Sequence, residues 1–165
     1  MRVLLLVVLL LAGMRVAAQP AGDGNPPVGQ GAGVHDPRSP FKPLEERAGV
    51  LSWAQLSAVT AKIENKKVVA TFSPAIAALH QQKVKVQGFM LPLEPGERQS
   101  HFLLSRVPTA CSFCVPAGPE GLIEVRTTAP VRYSLEAVTV EGILAVLKED
   151  PYGLFYRVVE ARQVP

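Results

Sequence analysis

From Lys83 onward, apolar and polar residues alternate along the chain, and this period of two constrains the fold more than any other feature. Two alternating segments, VKVQG at 84–88 and VTVEG at 138–142, share the same pattern and end in glycine. A glycine inside a strand marks a bulge, a tight bend or a close approach of backbone. Because small barrels need such bends to coil and close, the two segments favour a barrel.

Five strands are predicted in all. Besides the strands that contain the two glycine segments, strands are expected at 101–105, 122–127 and 154–162. Five strands with two bending glycines favour a mainly β (α+β) fold, with a small OB-like five-stranded barrel and short N-terminal helices. An ordinary antiparallel sheet with helices on one face is the alternative.

Two short helices are predicted before these strands. Ser52 is a suitable N-cap with Gln55 three residues later, and apolar residues then recur at helical spacing, so the first helix is expected over 53–65. Ser73 and Pro74 begin the second helix, because proline is favoured at the first helical position.

The first 18 residues have the pattern of a secretory signal peptide. A positive start precedes an aliphatic run over 3–11, and small residues lead up to Ala18, so cleavage is expected before Gln19. An uncleaved anchor is the alternative, which Arg15 mildly favours. No apolar run reaches the roughly 20 residues of a spanning helix, which excludes a polytopic membrane protein. We expect an exported protein, periplasmic or secreted, that is peripheral to the membrane at most.

Cleavage of the signal peptide lowers the net charge of the chain. Arg2 and Arg15 leave with it, so Lys and Arg fall by two, from 17 to 15, against 14 acidic residues. A nucleic-acid-binding protein usually carries a basic stripe, so binding to nucleic acid is not expected. Residues 19–47, rich in Gly and Pro, are predicted to form a flexible linker. Residues 48–165 are predicted to form one domain.

The chain resembles the bacterial exported proteins of the family called domain of unknown function 3299. The matching motifs occur in this order: Trp53, FSP at 72–74, VQGFMLPLE at 86–94, FLL at 102–104, Pro108, Cys111, VTVEG at 138–142 and YRV at 156–158. The resemblance implies export and a small β-rich domain, and it implies no established activity. An association of some relatives with transport systems and metal homeostasis is a further implication of the resemblance.

The segment CSFC at 111–114 is the densest group of reactive side chains. Two thiolates at this spacing can point at one ion, and soft thiolates suit copper or zinc. Closed zinc sites need about four protein ligands, so His101 and Glu94 are the candidates to join Cys111 and Cys114. Cu(I) accepts two sulfur ligands, so a copper site needs fewer additional ligands than a zinc site.

A disulfide between Cys111 and Cys114 is an equally supported interpretation, because paired cysteines of exported proteins normally oxidise. A thiol-disulfide oxidoreductase is less favoured, since such motifs place the first cysteine at a helix N-terminus and this one is followed by VPAGP. The segment lacks a nucleophile elbow or a phosphate-binding loop nearby, and no enzyme is expected.

Two functions remain open on the sequence alone. One is a small exported binding or accessory protein that binds or handles a soft metal through the CxxC loop. The alternative is a protein-interaction module of a transport system, in which the CxxC forms a structural disulfide.

Overall fold

The computed structural model describes residues 31–65 and 67–165 of the chain. The predicted signal peptide lies outside the described residues, as does the first part of the predicted linker. Helices are short and strands dominate. The elements are α1 (Trp53–Leu56), β1 (Val59–Glu64), β2 (Lys67–Phe72), α2 (Pro74–Ala77), β3 (Lys83–Pro92), β4 (Arg98–Ser105), a 3₁₀ turn (Pro119–Gly121), β5 (Leu122–Arg132), β6 (Val138–Val146) and β7 (Tyr156–Val164).

Five of these strands close into a barrel in the order β3-β4-β5-β7-β6, in which β6 returns to pair with β3. Every pair is antiparallel except β5 with β7, which run parallel. A closed five-stranded barrel with short helices before it confirms the OB-like fold that the sequence predicts. Among the helices of the described residues, none has the length and apolar character needed to cross a membrane.

The two glycines within strands bring neighbouring backbones close together. A Cβ atom on Gly142 would lie 2.6 Å from the carbonyl oxygen of Val159, and one on Gly88 would lie 2.9 Å from that of Ser105. The pairing of β6 with β7 also shifts register next to Gly142. The repeated glycine pattern therefore marks positions where the barrel strands approach too closely for a side chain, as predicted.

The predicted helix over 53–65 is wrong beyond its first turn. Helix α1 ends at Leu56, and 59–64 forms strand β1, paired antiparallel with β2. The β-branched residues of this segment favour an extended chain. Asn65 has a φ of 51°, which reverses the chain between the two strands. Ile63, placed on the apolar face of the expected helix, is 81% exposed on the hairpin.

Helix α1 is attached to the barrel by its own buried residues. Ser52 caps it by accepting a hydrogen bond from the backbone of Ala54, and Trp53 donates its indole N–H to the carbonyl oxygen of Gln87 at 2.7 Å. Helix α2 begins as predicted, with the Ser73 side chain as its cap. The interior of the barrel is filled by large side chains without exposure: Phe102, Leu104, Ile123, Val125, Val140, Leu144, Tyr156 and Val158.

Candidate functional site

The loop between β4 and β5, residues 106–121, contains both cysteines, and they form a disulfide. The Cα atoms of Cys111 and Cys114 are 5.4 Å apart, and the backbone N–H of Cys114 donates to the carbonyl oxygen of Cys111. Cys111 is buried, whereas Cys114 is half-buried. Of the interpretations that the CxxC spacing allows, the structure contains the disulfide.

Apolar packing fixes this loop on the barrel. Val107 and Ala117, from the two ends of the loop, pack with Leu122 of β5 in a second apolar cluster, against which Leu103 and Leu154 also rest. The cluster lies outside the main core. It gives the loop a buried base, so the residues around the disulfide are held against the outer surface of the barrel.

Part of the predicted linker pairs with the same loop. Val34 and Val115 exchange both backbone hydrogen bonds, at 3.1 and 3.0 Å, and the backbone N–H of Gly118 donates to the carbonyl oxygen of Gly31. A residue pair that exchanges both bonds is the unit of an antiparallel ladder. The chain before the domain therefore adds a short strand-like segment to the β4–β5 loop.

Three apolar side chains around the disulfide remain exposed to solvent, and we call them the loop patch. They are Val34, Phe113 and Val115, with exposed fractions of 60%, 51% and 51%. The guanidinium of Arg38 lies 4.6 Å from the centre of the Phe113 ring, a cation–π contact. Asp36 holds that guanidinium by a bidentate hydrogen bond, which lowers the pKa of the Asp36 carboxyl to about 2.

The other two predicted metal ligands lie apart from the cysteines. His101, on the outer side of β4, has its Nε2 atom 2.8 Å from Oε1 of Glu124. Glu94 is exposed in the loop between β3 and β4. Within residues 31–65 and 67–165, no three side chains of His, Cys, Asp or Glu are grouped as a metal site would require. Metal binding by Cys111 and Cys114 stays a prediction, and it concerns the reduced loop, because thiolates are the ligands.

A group of charged residues that sequence reasoning missed surrounds His101. The Glu124 carboxylate, whose side chain is 4% exposed, accepts hydrogen bonds from Arg126 at 3.0 Å and from Arg157 at 2.5 Å, besides its contact with His101. Arg157 also donates to Asp150 at 3.1 Å. We call these five residues the Glu124 network.

Burial and hydrogen bonding act in opposite directions on the Glu124 carboxyl. Desolvation by burial raises the pKa of Glu124, but the hydrogen bonds from Arg157, Arg126 and His101 together outweigh it and hold the pKa below its usual value. The carboxylate is therefore ionised at neutral pH and keeps two guanidinium groups in fixed positions. The alternation of Glu124 and Arg126 in the sequence places both outside the barrel. No pattern in the sequence indicates that Arg157 of β7 binds Glu124.

Comparisons with known proteins give one family and one solved structure. A model of the family described as "Protein of unknown function (DUF3299)" matches residues 30–153. The crystal structure of a DUF3299 family protein from Pseudomonas aeruginosa PAO1 aligns with 24% sequence identity and a TM-score of 0.45, over 58% of this chain and 68% of that chain. No curated protein matches the sequence.

Proposed function

The chain belongs to the DUF3299 family of proteins of unknown function, and from that premise we propose that it is a small exported binding protein that docks on a protein partner. The docking surface is the loop patch, with the disulfide in a structural role. Among the two functions open on the sequence, this is the interaction module. The observation that carries the proposal is an apolar patch that is exposed although its backbone is held at several points.

Rigidity and exposure together distinguish this loop from an ordinary surface loop. The disulfide closes the turn that presents Phe113, and the bridge between Val34 and Val115 holds the backbone beside it. Ordering a flexible loop on binding costs free energy, so a loop that is already ordered loses less when a partner binds. An exposed aromatic side chain on a fixed backbone is typical of the residues that dominate binding energy at interfaces.

The chemistry of the patch indicates the kind of surface that it fits. Its three side chains are apolar, and the guanidinium of Arg38 lies over the ring of one of them, Phe113. A complementary partner offers an apolar pocket for Phe113 with an acidic group near its edge. A protein of a membrane transport system, reached after export, is the partner class that the family resemblance suggests.

Site-specific photocrosslinking in the native host tests the proposal. Benzoylphenylalanine replaces Val115 in the full chain, so that Phe113 stays in place. We expect one discrete adduct with another protein, which F113A abolishes. The control is I63A, which removes an apolar side chain that is even more exposed, from the β1–β2 hairpin. This control is expected to leave the adduct intact.

Three outcomes contradict the proposal: no adduct, an adduct that F113A and I63A affect equally, or an adduct with a second copy of this chain alone. Thermal unfolding of each variant controls for loss of the fold. Phe113 is half exposed and lies outside both apolar clusters, so F113A is expected to keep the melting temperature of the parent.

A further inference from the structure

The outer surface of β4 and β5 carries two cross-strand pairs of basic residues, one on each side of a register shift. Arg98 lies opposite Arg132, and His101 lies opposite Arg126. Neighbouring positions point into the barrel: Gln99, paired with Val131, is fully buried. The register shifts between Gln99 and His101, so the second pair is placed by its own buried neighbours, Phe102 and Val125. Because side chains alternate on either side of the shift, both basic pairs lie on the outside. We call this surface the basic face.

The first pair, Arg98 with Arg132, places two positive charges next to each other in the folded chain. Like charges directly opposite each other on neighbouring strands destabilise a sheet. In the described part of the chain, neither Arg98 nor Arg132 forms an ion pair, and Arg98 donates only to the carbonyl oxygen of Pro130. Glu94 and Glu97 lie in the adjacent β3–β4 loop, yet neither carboxylate pairs with these guanidinium groups. A bound anion would relieve the repulsion.

The Glu124 network places two ordered guanidinium groups at and beside the second pair, with their charge balanced by Glu124 and Asp150. Glu124 fixes Arg126 and Arg157, whose side chains remain 58% and 25% exposed. Since a guanidinium has five N–H donors, each arginine keeps donors free for a further anion. The second pair and Arg157 therefore offer positioned donors, unlike isolated cations on flexible side chains.

An aromatic side chain is held by the same network. Asp150, bound by Arg157, accepts hydrogen bonds from the backbone N–H groups of Tyr152 and Leu154 in the β6–β7 loop. Tyr152 is 84% exposed. In OB-type barrels, the second and third strands and the loop between the fourth and fifth bind oligonucleotides or oligosaccharides. Strands β4 and β5 and the β6–β7 loop hold these positions here.

We infer that the basic face binds an acidic oligosaccharide through the carboxylates of its sugars. Carboxylates match the bidentate geometry of guanidinium groups, and Tyr152 can stack on one sugar ring. A single-stranded nucleic acid fits less well, because its binding depends on successive aromatic platforms and the outward positions of β4 and β5 contain none. This site is separate from the loop patch and goes beyond the proposed docking function.

Fluorescence anisotropy with labelled oligogalacturonate tests the inference on the mature protein. We expect binding that weakens as salt rises and that is absent for the fully methyl-esterified oligomer of the same length. The double variant R98Q/R132Q should weaken binding at least about tenfold. The control K62Q/K85Q removes two positive charges from exposed positions outside the basic face and should leave affinity within about twofold.

Three results overturn the inference. They are absence of binding to the acidic oligomer, equal losses in the two double variants, and tighter binding to oligothymidylate of equal length and charge. Equal losses would mean that only net charge matters. The single variant R132Q removes no hydrogen bond found in the described part of the chain, and it gives the same test if R98Q/R132Q unfolds.

Discussion

The phenol of Tyr156 on β7 donates a hydrogen bond of 2.7 Å to the backbone carbonyl oxygen of Leu56, the last residue of α1. Both residues are fully buried. Burial raises the pKa of the Tyr156 hydroxyl above its usual value, so it is protonated and remains a donor at neutral pH. The bond fastens the segment before the hairpin to the interior of the barrel.

Removing this donor should destabilise the protein without altering its shape. In Y156F the carbonyl oxygen of Leu56 is left buried without that partner, which costs about 1–3 kcal/mol. The measurement is urea unfolding, with the change read as a lower midpoint at an unchanged slope. Y152F removes the hydroxyl of an exposed tyrosine and should leave the midpoint unchanged. Equal midpoints for Y156F and the parent would contradict the prediction.

Replacing Glu124 should remove a stabilising contribution that depends on pH. E124Q leaves the guanidinium groups of Arg126 and Arg157 without their carboxylate and is expected to cost about 2–3 kcal/mol at pH 7. The pKa of Glu124 is lowered by folding, so its contribution is fully present above 4.5, the ordinary value. It is lost as the pH falls through the lower pKa of the folded state.

Urea unfolding of the parent and E124Q at pH 7, 4.5 and 3 checks this prediction. The difference in unfolding free energy should shrink towards the lowest pH. E141Q is the matched control, because Glu141 accepts hydrogen bonds from Arg162 and pairs with Lys83 at the surface, where screening weakens such contacts. Its effect should be smaller. A difference for E124Q that stays constant from pH 7 to pH 3 would exclude the proposed electrostatic origin.

The sequence predicts the barrel because the relevant signal is local. A glycine within an alternating strand indicates that another strand comes close, even when the sequence does not show which strand that is. Gly88 and Gly142 therefore predicted close approaches without knowledge of their partners. The helix expected over 53–65 failed because apolar spacing alone did not account for its β-branched residues or for the turn at Asn65. The first turn was predicted correctly, since the cap at Ser52 is local as well.

The charged part of the molecule was less accessible to prediction. The partner of Glu124 on β7 is Arg157, 33 residues later, and they meet only because β5 and β7 pair in parallel. Likewise, the spacing of Cys111 and Cys114 suits a disulfide and a metal site equally. The redox state, which depends on where the chain resides, decides between them.

The intact mass of the protein purified from its native host, without reductant or chelator, should report processing and oxidation together. We expect the mass of residues 19–165, which corresponds to cleavage before Gln19, lowered by about 2 Da for one disulfide. The same sample after reduction and denaturation is the control and should regain that difference. A mass that includes residues 1–18 would contradict cleavage, and a fully reduced native mass would contradict the structural disulfide.

Metal binding is predicted to require the reduced loop. The oxidised protein should take up no stoichiometric copper, whereas the reduced protein should bind one Cu(I) per chain, because two thiolates suffice for this ion. Zinc should bind more weakly, since a closed zinc site needs about four ligands. Anaerobic titration with a competing chelator measures both. C111S and C114S should each abolish uptake, and S112A is the control that keeps both thiols. Uptake that survives in both serine variants would place the metal elsewhere.

The close approach at Gly142 should make this position intolerant of any side chain. In G142A the new Cβ atom would meet the carbonyl oxygen of Val159 at 2.6 Å, and backbone on the neighbouring strand cannot move aside as a flexible side chain can. Overpacking of this kind costs about 1–3 kcal/mol. G88A, with its nearest contact at 2.9 Å, provides a graded comparison and should lower the melting temperature less. If G142A is as stable as the parent, then β6 and β7 can separate at the register shift, and the glycine is not what allows the barrel to close.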